Sequence, residues 1–163
     1  MNHNLNTSER FYGDICTTHT YADRLGTITN CKAAGLEICS GGIVGQGESD
    51  EDIIDMLLAL RKIGTQATPI NFMVPIAGTP FEDRGTALDP RKCLKVLCLA
   101  RLLLPAAEIR AAGGREHHLR SLQPMALYAA DSVFVSGYLT TGGQSPDETK
   151  AMIEDLGFEM IRE

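Results

Sequence analysis

Residues 36–49 read LEICSGGIVGQGES, and this stretch decides the fold. It opens with a short apolar run that predicts a β-strand ending in the thiol of Cys39. Four glycines follow between positions 41 and 47, and glycine lets the backbone take positive φ and approach a ligand closely. Ser49 and Asp52 then form a predicted capping pair for the next helix. A thiol carried by a strand into a glycine-rich turn before a helix is typical of an active-site loop.

Helix and strand patterns alternate on both sides of this stretch. Capping residues, apolar spacing and prolines predict helices over residues 20–34, 50–63, 89–104, 118–129 and from 145 onward. The same criteria predict strands over residues 36–39, 69–75, 108–112 and 132–136. Such alternation predicts about four parallel strands joined by right-handed helical crossovers. We therefore expect an α/β fold in which residues 1–163 form one continuous unit.

The length of the chain limits how much of a barrel it can form. A closed eight-stranded (β/α) barrel needs about 250 residues, so 163 residues can supply only around half of one. Buried parallel strands are usually apolar on both faces, and we expect that here. An open half-barrel would also leave strand edges unpaired. We therefore expect either a homodimer or completion of the sheet by a missing N-terminal half.

Composition excludes several classes of partner. A net charge of -6 and a pI near 5.2, with no basic run, argue against nucleic acid. The longest apolar stretches fall short of the roughly 18 residues that a membrane span requires. Five cysteines, an odd number without Cys-x2-Cys pairs, fit a reducing compartment. We therefore expect a cytoplasmic protein that contacts neither membranes nor nucleic acid.

Three stretches together resemble the biotin synthase family of radical S-adenosylmethionine enzymes. They are NHNLNTS at residues 2–8, the glycine-rich stretch at 36–49, and AGGRE at 112–116. The resemblance runs nearly from end to end, with residues about 75–160 similar to the biotin and thiamin synthesis-associated region. It implies insertion of sulfur into dethiobiotin to form biotin, by radical chemistry derived from S-adenosylmethionine. It also implies the C-terminal half of a TIM-type barrel.

One feature of that family has no match in this sequence. Its members bind a [4Fe-4S] cluster with a Cys-x3-Cys-x2-Cys motif, whereas the cysteines here lie at positions 16, 31, 39, 93 and 98. The resemblance therefore implies that the motif, and two further ligands of a [2Fe-2S] cluster, lie upstream of Met1. We expect the isolated chain to be inactive.

Cys39 and Arg115 are the metal ligands that the resemblance implies. Both would bind the [2Fe-2S] cluster that biotin synthases consume as their sulfur source, and thiolates suit iron because they are soft donors. From the residues alone, an inert buried thiol is the favoured interpretation of Cys39. Arg115 could instead anchor a carboxylate such as Glu116. The role of Arg110 stays open, and the other four cysteines are interpreted as core.

Four asparagines complete the candidate site. Asn2, Asn4 and Asn6 alternate as strand residues do, which would direct them to one face. The resemblance implies that Asn4 and Asn6 contact S-adenosylmethionine, although some members carry aspartate where Asn6 stands. It likewise assigns Asn2, Asn4 and Asn71 to dethiobiotin, whose ureido ring suits an amide that donates and accepts. A satisfied polar group in the core is the alternative for Asn71.

Two functions from other classes stay open at this point. The chain could be a non-catalytic half-barrel module that pairs with another chain, which the absence of the three-cysteine motif favours. It could also be an unrelated phosphate-binding barrel enzyme, as the glycine-rich loop alone would suggest. The absence of a nearby catalytic base makes the latter the weakest of the three.

Overall fold

The structure, a computed structural model, describes residues 1–84, 88–135 and 142–161. The helices are α1 (Tyr12–Ile15), α2 (Tyr21–Ala33), α3 (Asp50–Ile63), α4 (Pro90–Leu103), α5 (Arg115–Leu119) and α6 (Pro146–Asp155), with a 3₁₀ helix over Arg120–Tyr128. The strands are β1 (Gly42–Val44), β2 (Ala67–Phe72), β3 (Glu108–Ala111) and β4 (Ser132–Val133). Within these ranges, no helix combines the length and apolar character that crossing a membrane requires.

The strands form one parallel sheet in the order β1-β2-β3-β4. Gly42 is in register with Ile70, Ile70 with Ala111, and Ala111 with Val133. Residues 2–6 add a further parallel segment beside β1 through isolated bridges. The expectation of a partial α/β barrel with about four parallel strands is confirmed.

Local signals at the helix ends account for most of the helix boundaries. Ser49 and Ser145 each form a complete capping box, with Asp52 and Glu148 respectively. The side chain of Asp89 accepts from Lys92 N at the start of α4, whose first residue is a proline. The predicted starts of α3, α4 and α6 are therefore confirmed.

Asp52 ties the N-terminal segment to α3. Its carboxylate accepts from Ser8 Oγ at 2.6 Å, from Arg10 Nε and Nη2 at 3.0 and 2.9 Å, and from Ser49 Oγ at 2.6 Å. The side chain is buried. Burial by itself raises the pKa of Asp52, but the hydrogen bonds from Ser49, Ser8 and Arg10 outweigh it and hold that pKa well below its usual range.

We expect Asp52→Asn to lower the free energy of unfolding by about 1–3 kcal/mol at pH 7, because an amide cannot accept all these donors. A depressed carboxyl pKa gives stability that is fully present above the unfolded value of 3.8 and is lost as pH falls through the folded value. Urea denaturation at pH 7 and pH 3 measures both effects. Asp55→Asn is the control, since Asp55 lies 3.6 Å from Arg10 but is exposed. An equal loss in both variants would contradict the assignment.

The two faces of the sheet differ in chemistry. Ile70, Phe72, Ile109 and Ala111 are buried in a core shared with the flanking helices. The alternate residues on the opposite face, which are half-buried, are Cys39, Ile43, Asn71, Glu108, Arg110 and Ser132. The expectation that the strands are apolar on both faces is therefore wrong for this second face, which we call the polar face.

The strand that carries the thiol begins later than the sequence predicts. Leu36 is exposed and Cys39 forms only isolated bridges, whereas regular pairing starts at Gly42. A Cβ at Gly41 would lie 1.9 Å from Pro69 O, so this glycine permits close approach within the sheet. The turn itself starts at Gly45, where φ is +100°.

The predicted helix over 118–129 and the predicted strand over 132–136 both need correction. The predicted helix over 118–129 is α5 followed by the 3₁₀ helix, since Pro124 lacks the N–H that an α-helix needs. The inward-facing apolar side chains of α6 are only half-buried, and none belongs to the main core; they are Met152, Ile153 and Leu156. The predicted strand 132–136 is observed over Ser132–Val133, and residue 136 lies outside the described residues.

Candidate functional site

Cys39 lies on the polar face between the N-terminal segment and β2. It forms parallel bridges with Asn2 on one side and with Ala67 on the other. Cys39 N donates to Met1 O at 2.8 Å, and His3 N donates to Cys39 O at 3.0 Å. These backbone contacts hold the half-buried thiol in place without using its sulfur atom.

Burial and two neighbouring charges set the protonation of the Cys39 thiol. Burial raises the pKa of the thiol; Arg110 opposes that effect and Glu108 adds to it. The thiol is therefore protonated at neutral pH, and only the thiolate is a good nucleophile. A soft metal ion would displace this proton, since coordination deprotonates thiols.

Glu108, Arg110 and Ser132 form a connected polar group beside Cys39. Glu108 Oε2 accepts from Arg110 Nη2 at 2.6 Å, and Glu108 Oε1 accepts from Ser132 Oγ at 2.8 Å. The hydrogen bond from Arg110 is the main reason that the pKa of Glu108 is lowered. Ala67 pairs with both Cys39 and Glu108, which places these two residues in one row across the sheet.

The side chain of Asn71 links β2 to β1 and to the turn that follows β3. Its Nδ2 donates to Gly42 O at 3.2 Å, and its Oδ1 accepts from Gly113 N at 3.0 Å. A primary amide has two N–H groups and two oxygen lone pairs, so each end keeps capacity for one further bond. The geometry therefore combines the satisfied polar group and the potential ligand contact that the sequence left as alternatives.

The three N-terminal asparagines have different surroundings. Asn2 is exposed beside Cys39, whereas the Oδ1 of Asn4 accepts from Gly41 N at 3.1 Å. Asn6 has a φ of +72°, in the left-handed region that asparagine tolerates better than most residues. Strict alternation along this segment is therefore broken at Asn6.

Arg115 does not lie with Cys39. It is 1% exposed, and its Nε donates to Phe134 O at 3.1 Å. It forms an ion pair with Glu116 at 3.2 Å, the carboxylate partner that residue chemistry favours. It is not among the groups that shift the pKa of Cys39. Arg110, whose role the sequence left open, is the arginine that acts on this thiol.

The remaining four cysteines range from fully buried to exposed. Cys93 is fully buried, and burial raises its pKa to about 12, as expected of a core thiol. Cys98 is exposed, so its assignment to the core is wrong. Cys16 and Cys31 are partly exposed at the edge of the core. Hydrogen bonds from Thr18 and His19 lower the pKa of Cys16 to about 7.

The described residues do not bring together a complete metal-ligand set. No group of three or more His, Cys, Asp or Glu side chains within residues 1–84, 88–135 and 142–161 could hold a metal ion. Cys39 fits an iron–sulfur cluster as a single thiolate ligand, because it is half-buried on the polar face. A [2Fe-2S] cluster needs four such ligands.

Comparison with known proteins places this geometry in a family. The model of the Biotin and Thiamin Synthesis associated domain matches residues 69–159. Biotin synthase from Renibacterium salmoninarum is 56% identical over 160 residues, which are 98% of this chain and 47% of that protein. Biotin synthase from Acaryochloris marina is 52% identical over the full chain and 47% of its own length. The chain thus spans about half the length of the curated relatives it matches.

Solved structures agree at the level of fold. The FeFe-hydrogenase maturase HydG from Carboxydothermus hydrogenoformans superposes with a TM-score of 0.76 at 17% identity, over 96% of this chain and 41% of the maturase. At that identity the likeness concerns the fold alone. The matched domain model shows that the chain belongs to the family of the Biotin and Thiamin Synthesis associated domain. Together with the two relatives, it shows that the chain corresponds to the C-terminal part of biotin synthases.

Proposed function

We propose that these residues act in an enzyme that inserts sulfur into dethiobiotin to form biotin, by radical chemistry derived from S-adenosylmethionine. The observation that carries this proposal is the half-buried thiol of Cys39 on a polar sheet face, in a chain 56% identical to a biotin synthase. Parallel α/β barrels enclose side chains on the inner side of such a sheet. Cys39 lies level with Ala67 and Glu108, the first residues of β2 and β3, whereas Asn71 lies near the carboxyl end of β2.

Cys39 would supply one thiolate ligand to a [2Fe-2S] cluster. Its raised pKa keeps the thiol protonated and unreactive until iron displaces the proton. When bound, that cluster would supply the sulfur atom of the product. A [4Fe-4S] cluster would need thiolates at Cys-x3-Cys-x2-Cys spacing, which residues 1–163 do not contain.

The amide groups would orient the organic ligands. Asn71 keeps one donor and one acceptor after its bonds to Gly42 O and Gly113 N, and these two suit the ureido ring of dethiobiotin. Asn2 and Asn4 lie on the same side of Cys39 and would contribute to that contact. Asn4 and Asn6 would contact S-adenosylmethionine.

The assignment of Arg115 to the [2Fe-2S] cluster stays a prediction. Its guanidinium is directed to protein acceptors, whereas Arg110 lies near enough to Cys39 to influence its pKa. Parallel substitution with methionine at each position would separate the two arginines. If the assignment holds, only Arg115→Met weakens the [2Fe-2S] absorbance of the enzyme.

The proposed activity is tested with two polypeptides. We expect residues 1–163 alone, reconstituted with iron and sulfide, to release no 5′-deoxyadenosine from S-adenosylmethionine in the presence of dithionite. A longer polypeptide that joins these residues to a segment with the three-cysteine motif should release it and convert dethiobiotin to biotin. Release of 5′-deoxyadenosine by the short chain, or failure of the longer one to make biotin, would contradict the proposal.

A non-catalytic module that pairs with another chain is the second candidate. Residues 2–6 and β4 are the two outer segments of the described sheet, and outer strands present unpaired N–H and C=O groups. We expect residues 1–163 to form a dimer or larger species in sedimentation at micromolar concentration. Addition of the complementary N-terminal half should convert that species to a smaller complex. A compact monomer with cooperative unfolding would show that the edges need no partner.

A further inference from the structure

Arg115 joins the C-terminal helix to the strand ends. Its Nη1 donates to Gln123 of the 3₁₀ helix and, at 3.2 Å, to Gln144 just before α6. Its Nη2 contacts Thr149 Oγ1 at 3.4 Å, within the second turn of α6. One buried guanidinium therefore binds side chains from two separate segments, besides its bond to Phe134 O.

Helix α6 is attached by these polar contacts, and the ring of Phe158 just beyond it packs edge-on against Tyr128 of the 3₁₀ helix. Thr149 is its one fully buried residue among those described, and the main apolar core includes no residue of α6. A cavity of about 470 Å³ lies between α6 and the 3₁₀ helix, lined in part by Gln123, Gln144 and Met152. Glu116 strengthens the attachment, since its Oε1 accepts from Gln144 N at 3.0 Å.

The same arginine ends the turn that holds Asn71. Gly113 N donates to Asn71 Oδ1, Phe72 N donates to Gly113 O at 2.8 Å, and Arg115 N donates to Ala112 O at 3.4 Å. Gly114 is so close to β2 that a Cβ would lie 1.9 Å from Phe72 O. The turn over residues 112–114 therefore has little room to move while Arg115 stays in place.

We propose that Arg115 is a positioning residue that couples the docking of α6 to the orientation of Asn71. If α6 leaves, Arg115 loses Gln144 and Thr149, and water reaches a guanidinium that is otherwise 1% exposed. Water would then compete with the remaining partners of Arg115, which are Gln123, Glu116 and Phe134 O. The side chain would no longer be held in one position, and the turn over residues 112–114 would loosen. The consequence for dethiobiotin rests on the proposed function, whereas the coupling itself does not.

Hydrogen exchange of residues 1–163, followed by NMR, tests the coupling without any cofactor. The double variant Gln144→Ala/Thr149→Val removes the acceptor just before α6 and the buried acceptor within it, and leaves Arg115 intact. We expect it to raise exchange at least tenfold both in α6 and at Gly113 N–H. Arg115→Met should raise exchange in α6 and at Gly113 N–H by at least as much. The double variant keeps the test decisive if Arg115→Met does not fold.

Arg101→Met is the matched control. Arg101 also anchors backbone, by donating to Ala129 O and Ala107 O at 3.1 Å, but it does not contact α6. We expect Arg101→Met to leave exchange in α6 and at Gly113 within twofold of wild type. Protection at Gly113 that persists while α6 opens, or protection of α6 that persists in the double variant, would overturn the proposal.

Kinetics of the longer polypeptide separate this inference from the proposed function. We expect the double variant to raise the KM for dethiobiotin at least fivefold with little change in kcat, because Asn71 would be positioned less often. Biotin formation with an unchanged KM would overturn the inference and leave the proposed function intact. If exchange is coupled but the longer polypeptide makes no biotin, the proposed function is overturned and the coupling stands.

Discussion

Cys39→Ala, placed in a longer polypeptide that makes biotin, is expected to reduce biotin formation more than about 100-fold and to remove the [2Fe-2S] absorbance. Loss of a group that merely supports a metal ligand reduces metal affinity or activity about 10–100-fold, and loss of a ligand itself reduces them further. Alanine cannot bind iron, and among the described residues no other cysteine shares the polar face with Cys39. Absorbance spectra and product analysis of the reconstituted variant measure both effects.

The two cysteines of α4, Cys93 and Cys98, supply the matched controls. Cys93→Ala should lower the free energy of unfolding by about 1–2 kcal/mol, the cost of a small core truncation, and leave the absorbance unchanged. Cys98→Ala should change the free energy of unfolding by less than about 0.5 kcal/mol, because Cys98 is exposed. Loss of the absorbance in Cys93→Ala with its retention in Cys39→Ala would reverse the assignment of ligand and core.

Gly114→Ala is expected to reduce the stability of residues 1–163 by more than about 4 kcal/mol. The φ of +79° disfavours any side chain by about 1–2 kcal/mol, and the added Cβ would lie 1.9 Å from Phe72 O. A backbone carbonyl that is fixed in a sheet cannot move aside as a flexible side chain can. Since domains are stable by only about 5–15 kcal/mol, we expect little folded variant.

Gly35→Ala separates the two causes. Gly35 has a φ of +80°, but a Cβ there would meet nothing within 4 Å. We expect this control to lose only about 1–2 kcal/mol in urea denaturation, the cost of the left-handed conformation alone. Similar losses in both variants would show that the contact with Phe72 O carries no weight.

The helices could be predicted from the sequence because their signals are local. Ser49 with Asp52, Asp89 with Pro90, and Ser145 with Glu148 each act within four residues. The alternation of helix and strand patterns was then sufficient to predict parallel strands and a partial barrel.

The start of β1 and the roles of the two arginines depend on contacts between distant segments. Gly41 is a residue type that is typical of turns, and only its close approach to Pro69 O shows that it belongs to the sheet. Arg110 gave a usable signal, since the apolar Ile109 between Glu108 and Arg110 indicates that both charges share a face. Nothing near Arg115 in sequence indicated Thr149, which lies 34 residues away.

The order of the strands has a consequence for synthesis of the chain. Each strand pairs with the one before it in sequence, so no strand waits for a partner made much later. The nascent chain can therefore extend the sheet at one edge, one strand and helix at a time, as it leaves the ribosome. Paired residues of neighbouring strands lie 22 to 41 positions apart, and parallel pairing over such separations is slow. Each new edge of the sheet therefore stays unpaired, and exposed to aggregation, until the next helix and strand have been made.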